Sequence, residues 1–356
     1  MAEHTRNGAA GGTVCVTGGL GFVGHRLCHA LLDLGRPVRC VDSLVGSYAE
    51  GTGPAAADSL AARGAEIVRA HVGDASDELV LNGAEAVIHL AALPGVRTPR
   101  PFTELWHENA RATGRLARAA AERGARFVLA STSSVYGDAA RLPTPEDAPP
   151  SPLGPYALSK LAAERACSDA VVVRLFTVYG PGQRPDMAFA RWIRALARGR
   201  PVPWHARAGT VRDFTYVDDA VVGLLAALDR GLPGEAYNVS GQAPVRLADA
   251  LGVIERAVGR KAALERMPAS GGEARITAGC RRKSGSELRY APRMTLAAGI
   301  ARQVAAARAA SPGRRLGARA PARAALSRSG WESGAAARGW EWPPPVVRQA
   351  AAPDPG

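Results

Sequence analysis

The stretch Thr13–Gly24, which reads TVCVTGGLGFVG, decides the fold of this chain. It opens with an apolar run, Val14–Val16, that is typical of a strand buried in a parallel sheet. Glycines follow, and an apolar pattern of helical period then runs from Phe22 to Leu32. The sequence therefore predicts a strand, a tight turn and a helix in direct succession.

The glycines of this turn have the spacing of a dinucleotide-binding loop. Gly19, Gly21 and Gly24 fit G-x-G-x-x-G, and Gly18, Gly21 and Gly24 fit G-x-x-G-x-x-G. One glycine makes the turn, one lets the backbone approach a pyrophosphate, and one lets the helix pack close to the strand. The N–H groups at the start of the helix then face the phosphates.

An acidic residue stands where such a loop requires one. A second strand-like run, Val38–Val41, ends at Asp42, eighteen residues after Gly24. A carboxylate there accepts hydrogen bonds from the adenosine ribose and repels a 2′-phosphate, which favours NAD over NADP. The alternative is a glycine-rich turn of some other α/β protein.

Strand and helix patterns alternate from Thr13 onward, which predicts a doubly wound parallel sheet of the Rossmann type. We assign an NAD-binding domain to 13–176, to which 214–240 returns, and a smaller α/β substrate lobe to 177–310. Residues 1–12 read as a disordered leader and 311–356 as a disordered Arg/Ala/Pro-rich tail. The predicted strands are Thr13–Thr17, Val38–Asp42, Glu66–Val72, Ala86–Leu90, Arg126–Ser131 and Val171–Leu175.

Bulk properties exclude several classes of function. The net charge is +13, but the arginines are spread along the chain and seven of them lie in the tail, so we expect no nucleic-acid partner. No apolar run is long enough to span a membrane and no signal pattern opens the chain, which predicts a cytoplasmic protein. The five cysteines are scattered singly, and no metal-binding spacing is present.

The candidate catalytic pair is Tyr156 and Lys160, which are spaced i, i+4 and so share one face of a predicted helix. We expect the lysine ammonium to lower the pKa of the phenol. The pair could then take a proton from a sugar hydroxyl while a nicotinamide accepts hydride. Hydroxyls of 132–134 end the fifth strand, where a substrate would meet them. An amphipathic helix with an exposed tyrosine and lysine is the alternative.

The chain resembles the extended short-chain dehydrogenase/reductases over about residues 13–305. The shared motifs occur in the family's order: TGGLGFVG, Asp42, Gly73-Asp74, HLAALPGVR, STSSVYG, YALSK, RLFTVYGPGQRPDMAF and VRDFTYVDDAV. Within that family it is most similar to nucleotide-sugar 4-epimerases, and among them to UDP-glucuronate 4-epimerases. The resemblance implies transient oxidation of a UDP-sugar at C4 by tightly bound NAD, followed by return of hydride to the other face.

The resemblance also implies roles for individual residues. Thr132, Tyr156 and Lys160 would be catalytic, with Thr132 bridging to O4 of the sugar. The cofactor would be held by Gly18, Gly21, Phe22, Val23, Gly24, Asp42, Asp74, Ala75, Leu90, Ala91, Ala92, Asn109, Tyr156 and Lys160. The substrate would be held by Arg97, Thr132, Ser133, Ser134, Tyr156, Thr177, Arg191 and Arg212, with Arg184 as a further candidate.

The substrate remains open between related sugars. A 4-keto glucuronate is a β-keto acid that loses carbon dioxide readily, so its carboxylate must be held, and Thr177 and Arg191 resemble the uronate pattern for this. UDP-glucose 4-epimerase is an alternative. UDP-glucuronate decarboxylase and sugar 4,6-dehydratase are disfavoured because Ser133 and Ser134 replace their acidic residues.

Two further expectations concern partners. A weakened, nucleotide-sugar-binding regulatory protein is the non-enzyme alternative, because Gly279 stands where the family usually carries an aspartate that grips the nucleotide. The family commonly dimerises through a four-helix bundle, and here the helices at about 102–121 and 155–169 would form it.

Overall fold

The computed structural model describes residues 12–44, 52–94, 100–268 and 272–310. Arg97, the tail at 311–356 and all of the leader except Gly12 lie outside these residues. The strands are β1 (Thr13–Thr17), β2 (Val38–Asp42), β3 (Glu66–Arg69), β4 (Ala84–His89), β5 (Arg126–Thr132), β6 (Val171–Leu175), β7 (Thr177–Tyr179), β8 (Val202–Trp204), β9 (Val211–Tyr216), β10 (Ala236–Val239), β11 (Pro244–Arg246) and β12 (Leu264–Arg266).

The helices alternate with these strands. A π-helical turn, Trp106–Arg111, joins α4 to α5. The α-helices are α1 (Phe22–Asp33), α2 (Thr52–Ala61), α3 (Asp77–Leu81), α4 (Phe102–Leu105), α5 (Ala112–Glu122), α6 (Pro155–Arg165), α7 (Ala188–Ala197), α8 (Val217–Arg230), α9 (Leu247–Val258), α10 (Arg282–Glu287) and α11 (Leu296–Ala309). Within the described ranges, no helix is both long and apolar enough to cross a membrane.

Seven strands form one parallel sheet in the order β10-β6-β5-β4-β1-β2-β3. This confirms the predicted doubly wound sheet. Its central strands are buried along their length because helices cover both faces, which is why they read as continuous apolar runs. The strand order reverses between β1 and β4, and ligands of such sheets bind at that point, beyond the carboxyl ends of the strands.

The third strand is shorter than predicted. It ends at Arg69 rather than Val72 because its neighbour β2 ends at Asp42, and the last rung is the bond from Ala70 N to the carbonyl of Asp42 (3.1 Å). Residues 70–72 therefore leave the sheet as a loop at its carboxyl edge. The early end of β3 places 70–72 among the residues that line the cavity described below.

The later part of the chain builds two small sheets and extends the large one. Strands β7, β9 and β11 form one small sheet, and β8 pairs with β12 in the other. Buried aromatic rings of β7, β9 and α7 pack together, with Tyr179 in edge contact with Phe189 (5.5 Å between ring centroids). The segment 217–239 contributes α8, which packs against β5 and β6, and β10, the outermost strand of the large sheet beyond β6.

A buried ion pair fastens α6 to the large sheet. Arg174 of β6 donates from Nη2 to Glu164 of α6 (2.8 Å), and both side chains are less than a tenth exposed. Ser131 of β5 also donates to Glu164, and Arg174 donates from Nη1 to the hydroxyl of Tyr136 (2.9 Å). One charge pair thus sets the position of α6 relative to β5 and β6.

Candidate active site

A cavity of about 1010 Å³ opens at the carboxyl edge of the large sheet, at the point where the strand order reverses. Its size is at the upper end of the range of about 300–1,000 Å³ usual for ligand pockets, which suits two ligands side by side. The predicted residues that line it are Gly18, Gly21, Phe22, Val23, Gly24, Asp42, Leu90, Ala91, Ala92, Thr132, Ser133, Ser134, Tyr156, Lys160, Thr177 and Arg212.

The glycine loop forms a backbone cradle on one side of this cavity. Gly18 has φ +67°, and a Cβ on it would lie 2.8 Å from the amide nitrogen of Ala91. Gly24 packs against the carbonyl of Gly18, where a side chain would collide. Helix α1 begins at Phe22 with neither a capping side chain nor an acidic residue in its first turn. Its first N–H groups therefore fit the phosphates of a dinucleotide.

Asp42 ties this loop to the second strand. The side chain is buried, and it accepts hydrogen bonds from the backbone of Leu20 (3.0 Å) and of Leu44 (2.9 Å). These bonds fix the orientation of the carboxylate at the edge of the cavity. Its role as acceptor for an adenosine ribose stays a prediction.

A chain of buried hydrogen bonds supports the cavity floor from below. The amide of Ala91 donates to Thr17 Oγ1 (3.4 Å), Thr17 contacts His89 Nδ1 (2.7 Å), and His89 Nε2 contacts Thr113 Oγ1 (2.9 Å). Thr113 gives its own proton to the carbonyl of Asn109 (2.8 Å), so it can only accept from His89. His89 is therefore the neutral Nε2–H tautomer, and burial together with the charge of Lys160 lowers its pKa to about 3.

The catalytic candidates line the same cavity from β5 and α6. Thr132 ends β5, and its hydroxyl lies 3.1 Å from the Ser134 hydroxyl and accepts from the Ser134 amide (3.2 Å). Tyr156 and Lys160 face the same cavity from α6. The ammonium of Lys160 donates to the carbonyl of Ala130 (2.8 Å), and burial lowers its pKa to about 8.

The pKa of Tyr156 differs from the sequence expectation. We expected a neighbouring ammonium to lower it, but burial raises it, and the opposing charge is that of Arg184 rather than Lys160. The physical reason is the burial of the phenol, which disfavours its charged form. The phenol therefore stays protonated at neutral pH and is ready to act as an acid.

Several predicted residues lie away from the cavity lining. Asp74 is largely exposed, and neither it nor Ala75 lines the cavity, because β3 ends early and Ala70, His71 and Val72 occupy the edge instead. Asp74 contacts the lining, since its Oδ2 lies 3.2 Å from Nδ1 of His71. The predicted end of β3 at Val72 is wrong, and the signal for the true end was the end of β2 at Asp42, which limits how far β3 can pair. The roles of Asp74 and Ala75 in binding the cofactor stay predictions.

Asn109 acts on the site through another residue. It is fully buried and exchanges two hydrogen bonds with the backbone of Leu93 (2.7 and 3.0 Å), and it donates to Ser159 of α6 (3.0 Å). Leu93 lines the cavity, whereas Asn109 does not. Asn109 therefore holds the loop after β4 against α6, and its contact with the cofactor stays a prediction.

The arginine predicted to bind the carboxylate also lies outside the cavity lining. Arg191 lies on α7 outside the cavity lining, where its Nη1 is 3.5 Å from His205 Nε2. Arg184 lines the cavity, and Asp186 holds its guanidinium through Nε and Nη2 (3.0 Å each). The charge of Arg184 also acts on Tyr156. The sequence signal was the loop GPGQRPD, which follows β7 at the edge of the site.

The glycine at 279 is explained by packing. A Cβ at this position would lie 2.8 Å from the ring of Phe176 and from Ser240 Cβ, and the Gly279 amide donates to Asp213 (3.0 Å). An aspartate does not fit here. Thr277 and Arg212 line the cavity nearby, and Glu273 fixes Arg212 by an ion pair (3.1 Å).

The buried histidine makes a testable prediction about acid stability. His89 has a pKa of about 3 in the folded protein against an ordinary value of 6.5, so the unfolded chain binds a proton that the folded chain refuses. Stability contributed by this group is complete above about pH 6.5 and falls as the pH drops toward 3. From pH 7.5 to pH 5 the free energy of unfolding falls in both proteins. We expect the fall to be about 2 kcal/mol smaller in His89→Gln than in the wild type.

Urea unfolding followed by circular dichroism at both pH values measures this difference. Comparing each protein with itself at the two pH values removes any constant cost of the substitution. Equal losses in the two proteins would show that His89 is not held neutral.

Comparison with known proteins agrees with the geometry. Residues 14–240 match the profile of the NAD dependent epimerase/dehydratase family. An uncharacterised UDP-glucose epimerase of Bacillus subtilis, YtcB, is 34% identical over 82% of this chain and 96% of its own length. A UDP-glucuronate 4-epimerase of Thermodesulfobacterium geofontis is 32% identical over 82% of this chain and 95% of its own.

A solved structure shows the same fold. The UDP-glucuronic acid 4-epimerase of Bacillus cereus, in complex with UDP-glucuronic acid and NAD, superposes with a TM-score of 0.79 at 31% identity and covers 84% of this chain and 99% of its own. Profile, relatives and structure thus agree over the region that carries the glycine loop, Thr132, Tyr156 and Lys160. The chain belongs to the NAD dependent epimerase/dehydratase family.

Proposed function

We propose that this protein is an NAD-dependent UDP-glucuronate 4-epimerase. The observation that carries the proposal is one continuous cavity, in which Thr132, Tyr156 and Lys160 face the dinucleotide cradle of Gly18–Gly24. Bound NAD supplies the acceptor and donor of the hydride. The B. cereus and T. geofontis relatives, named for this activity, support the choice of substrate.

The chain's own residues handle the proton and the orientation of the sugar. Thr132 ends β5 and lines the same cavity as Tyr156, where it can bind the sugar O4, while the phenol of Tyr156 holds or returns the proton of that oxygen. Lys160 carries a positive charge below about pH 8, fixed by the carbonyl of Ala130. The charge that favours the phenolate, when the tyrosine must act as a base, is that of Arg184.

The carboxylate of the sugar needs its own binding site. Oxidation at C4 makes a β-keto acid, and carbon dioxide is lost unless the carboxylate is held so that the breaking bond stays out of line with the ketone. Ser133, Ser134 and Thr177 offer hydroxyls at the cavity wall, and Arg184 offers a guanidinium that Asp186 holds in place. We therefore assign the carboxylate to Arg184 rather than to Arg191.

A UDP-glucose 4-epimerase is the second candidate. It is favoured by the YtcB relative, which is named as a UDP-glucose epimerase. The two sugars differ at C6, as a carboxylate or a hydroxymethyl group, so the charge of Arg184 is the feature that separates them. An arginine near the reacting tyrosine favours the uronate.

Incubation of the purified protein with UDP-glucuronate, without added cofactor, tests the function. We expect UDP-galacturonate to appear by proton NMR with no release of carbon dioxide, because the hydride that leaves C4 returns to it. A UDP-pentose would instead indicate decarboxylation. Turnover of UDP-glucose alone would favour the second candidate, and no turnover of either sugar would favour a regulatory role.

A pair of arginine variants tests the carboxylate site. We expect Arg184→Met to lower kcat/KM for UDP-glucuronate by about 10- to 150-fold, the worth of one charged hydrogen bond. The same variant should release more carbon dioxide per turnover, because the 4-keto acid is held less firmly. Arg191→Met is the matched control and should keep wild-type values in both assays. The reverse result would return the role to Arg191.

We also propose a homodimer formed through the outer faces of α4–α5 and α6. Phe102, Trp106 and Leu158 are each more than two-fifths exposed, and the rings of Phe102 and Trp106 lie 5.9 Å apart. Since α6 packs against the π-helical turn that carries Trp106, these side chains belong to adjoining helices. Burying them against a second copy would remove large apolar groups from water.

Sedimentation equilibrium tests this assembly. We expect the wild type to sediment as a dimer and Trp106→Glu to sediment as a monomer, because a carboxylate buried at the interface lacks a partner. Leu232→Glu is the control, since Leu232 is equally exposed and lies after α8. Dissociation by the control alone would locate the interface elsewhere.

We also propose that the protein is cytoplasmic. All five cysteines are unpaired, which supports this location.

A further inference from the structure

The side-chain amide of Gln183 closes the loop that carries Arg184. Its Nε2 donates to the carbonyl of Val178 in β7 (3.1 Å), and its Oε1 accepts from the amide of Ala190 in α7 (3.1 Å). Helix α7 has no capping side chain at Met187, so this oxygen satisfies an amide of the first helical turn. One side chain therefore joins the strand before the loop to the helix after it.

A second glutamine reaches the same oxygen from α11. Gln303 donates from Nε2 to Gln183 Oε1 (2.8 Å), and it is only 5% exposed. Its buried neighbours along the helix, Ile300 and Val304, are apolar. No described residue pairs with Gln303 Oε1. A buried amide with an unpaired acceptor is costly, so an apolar side chain would be more stable at 303 unless the bond to Gln183 has a role.

Packing fixes α11 against the same segment one turn away. A Cβ on Gly299 would lie 2.3 Å from the hydroxyl of Tyr179 in β7, and this hydroxyl donates to the carbonyl of Thr295 (3.3 Å). Gly299 and Gln303 are four residues apart, so they lie on one face of α11. The helix thus contacts β7 at Tyr179 and the loop at Gln183. Gln303 therefore acts on the loop from a helix that is itself held in place.

The position of this loop decides which arginine meets the sugar. Arg184 directly follows Gln183 and lines the cavity, whereas Arg191 directly follows Ala190 and lies outside the lining. Each arginine is thus next to a residue that the Gln183 amide fixes. A shift of Gln183 relative to α7 would move the guanidinium of Arg184 with respect to Tyr156, on which its charge acts.

We infer that Gln303 is a positioning residue for recognition of the sugar: through Gln183, it holds the loop so that Arg184 meets the carboxylate. The inference rests on the proposed function and adds α11 to the elements that determine selectivity for the uronate. Gln303 lies outside the cavity lining, so its effect is indirect. Loss of its hydrogen bond should weaken discrimination between a carboxylate and a hydroxymethyl group at C6 without removing the chemistry at C4.

The test is the ratio of the dissociation constants of UDP-glucose and UDP-glucuronate, measured by isothermal titration calorimetry on the holoenzyme. Every protein in the titration carries Tyr156→Phe, which removes the acid and so stops turnover. With Gln303 present we expect UDP-glucuronate to bind at least about tenfold more tightly, as one charged hydrogen bond allows. Gln303→Met should lower this ratio by about 3- to 10-fold, the effect of one neutral hydrogen bond.

The matched control is Gln242→Met. Gln242 is an exposed glutamine whose Nε2 donates to the carbonyl of Pro292 (3.4 Å), and its replacement should leave the ratio unchanged. Urea unfolding of the same proteins separates positioning from a loss of stability. Since methionine removes the unpaired buried oxygen, we expect the free energy of unfolding of Gln303→Met to equal or exceed that of the parent protein.

A double-mutant cycle tests whether Gln303 acts through Gln183. We expect Gln183→Met to lower the ratio by itself, and the addition of Gln303→Met to lower it no further, because the shared hydrogen bond is already lost. A further fall in the double variant would overturn the inference. An unchanged ratio in Gln303→Met would also overturn it, as would a ratio that falls only together with the free energy of unfolding.

Failure of the proposed function gives a different result. The protein with Tyr156 intact would then form no UDP-galacturonate from UDP-glucuronate, although the ratio of dissociation constants and its response to Gln303→Met are as expected. If the ratio were near one with Gln303 in place, Arg184 would not recognise a carboxylate. The choice of the uronate and this inference would then both be wrong.

Discussion

The geometry of the catalytic wall depends on the buried ion pair between Arg174 and Glu164. Glu164 is one helical turn beyond Lys160, and Lys160 is one turn beyond Tyr156, so the pair fixes both the height and the rotation of α6. Ser131, directly before Thr132, donates to the same carboxylate. Strand and helix are therefore held in register by one acceptor. Such a pair is costly to desolvate and adds little net stability, but removing one partner leaves a buried charge.

The ion pair also influences the protonation of the site. The negative charge of Glu164 favours the charged form of Lys160, whereas burial opposes it and is the larger effect, leaving the pKa at about 8. The same burial raises the pKa of Tyr156. Desolvation thus favours the neutral form of both groups and moves their pKa values apart, so the phenol keeps its proton. Polar networks below the site, such as that of His89, supply rigidity without adding charge.

The dinucleotide half of the site could be predicted from sequence because it requires positions without side chains, and only glycine meets that requirement. Gly18 and Gly24 leave no room for a side chain, and an acid must end β2, so spacing alone identifies Asp42. The substrate half depends on where side chains point. Arg184 and Arg191 are seven residues apart, and only the turn between β7 and α7 decides which of them reaches the cavity. Asp74 illustrates the same limit, since its position relative to the edge depends on where β2 stops.

The two halves of the site therefore impose different constraints on the sequence. A backbone cradle tolerates change in every residue except those whose side chains would fill it, and the phosphates that it binds are common to all dinucleotides. The proposed sugar-binding arginine, Arg184, is held by Asp186 through two hydrogen bonds. A partner that fixes a recognising group before the ligand arrives lowers the entropy cost of binding. Specificity for the sugar can thus change in the loop after β7 while Thr132, Tyr156 and Lys160 keep their places, because the ion pair between Arg174 and Glu164 does not involve Arg184.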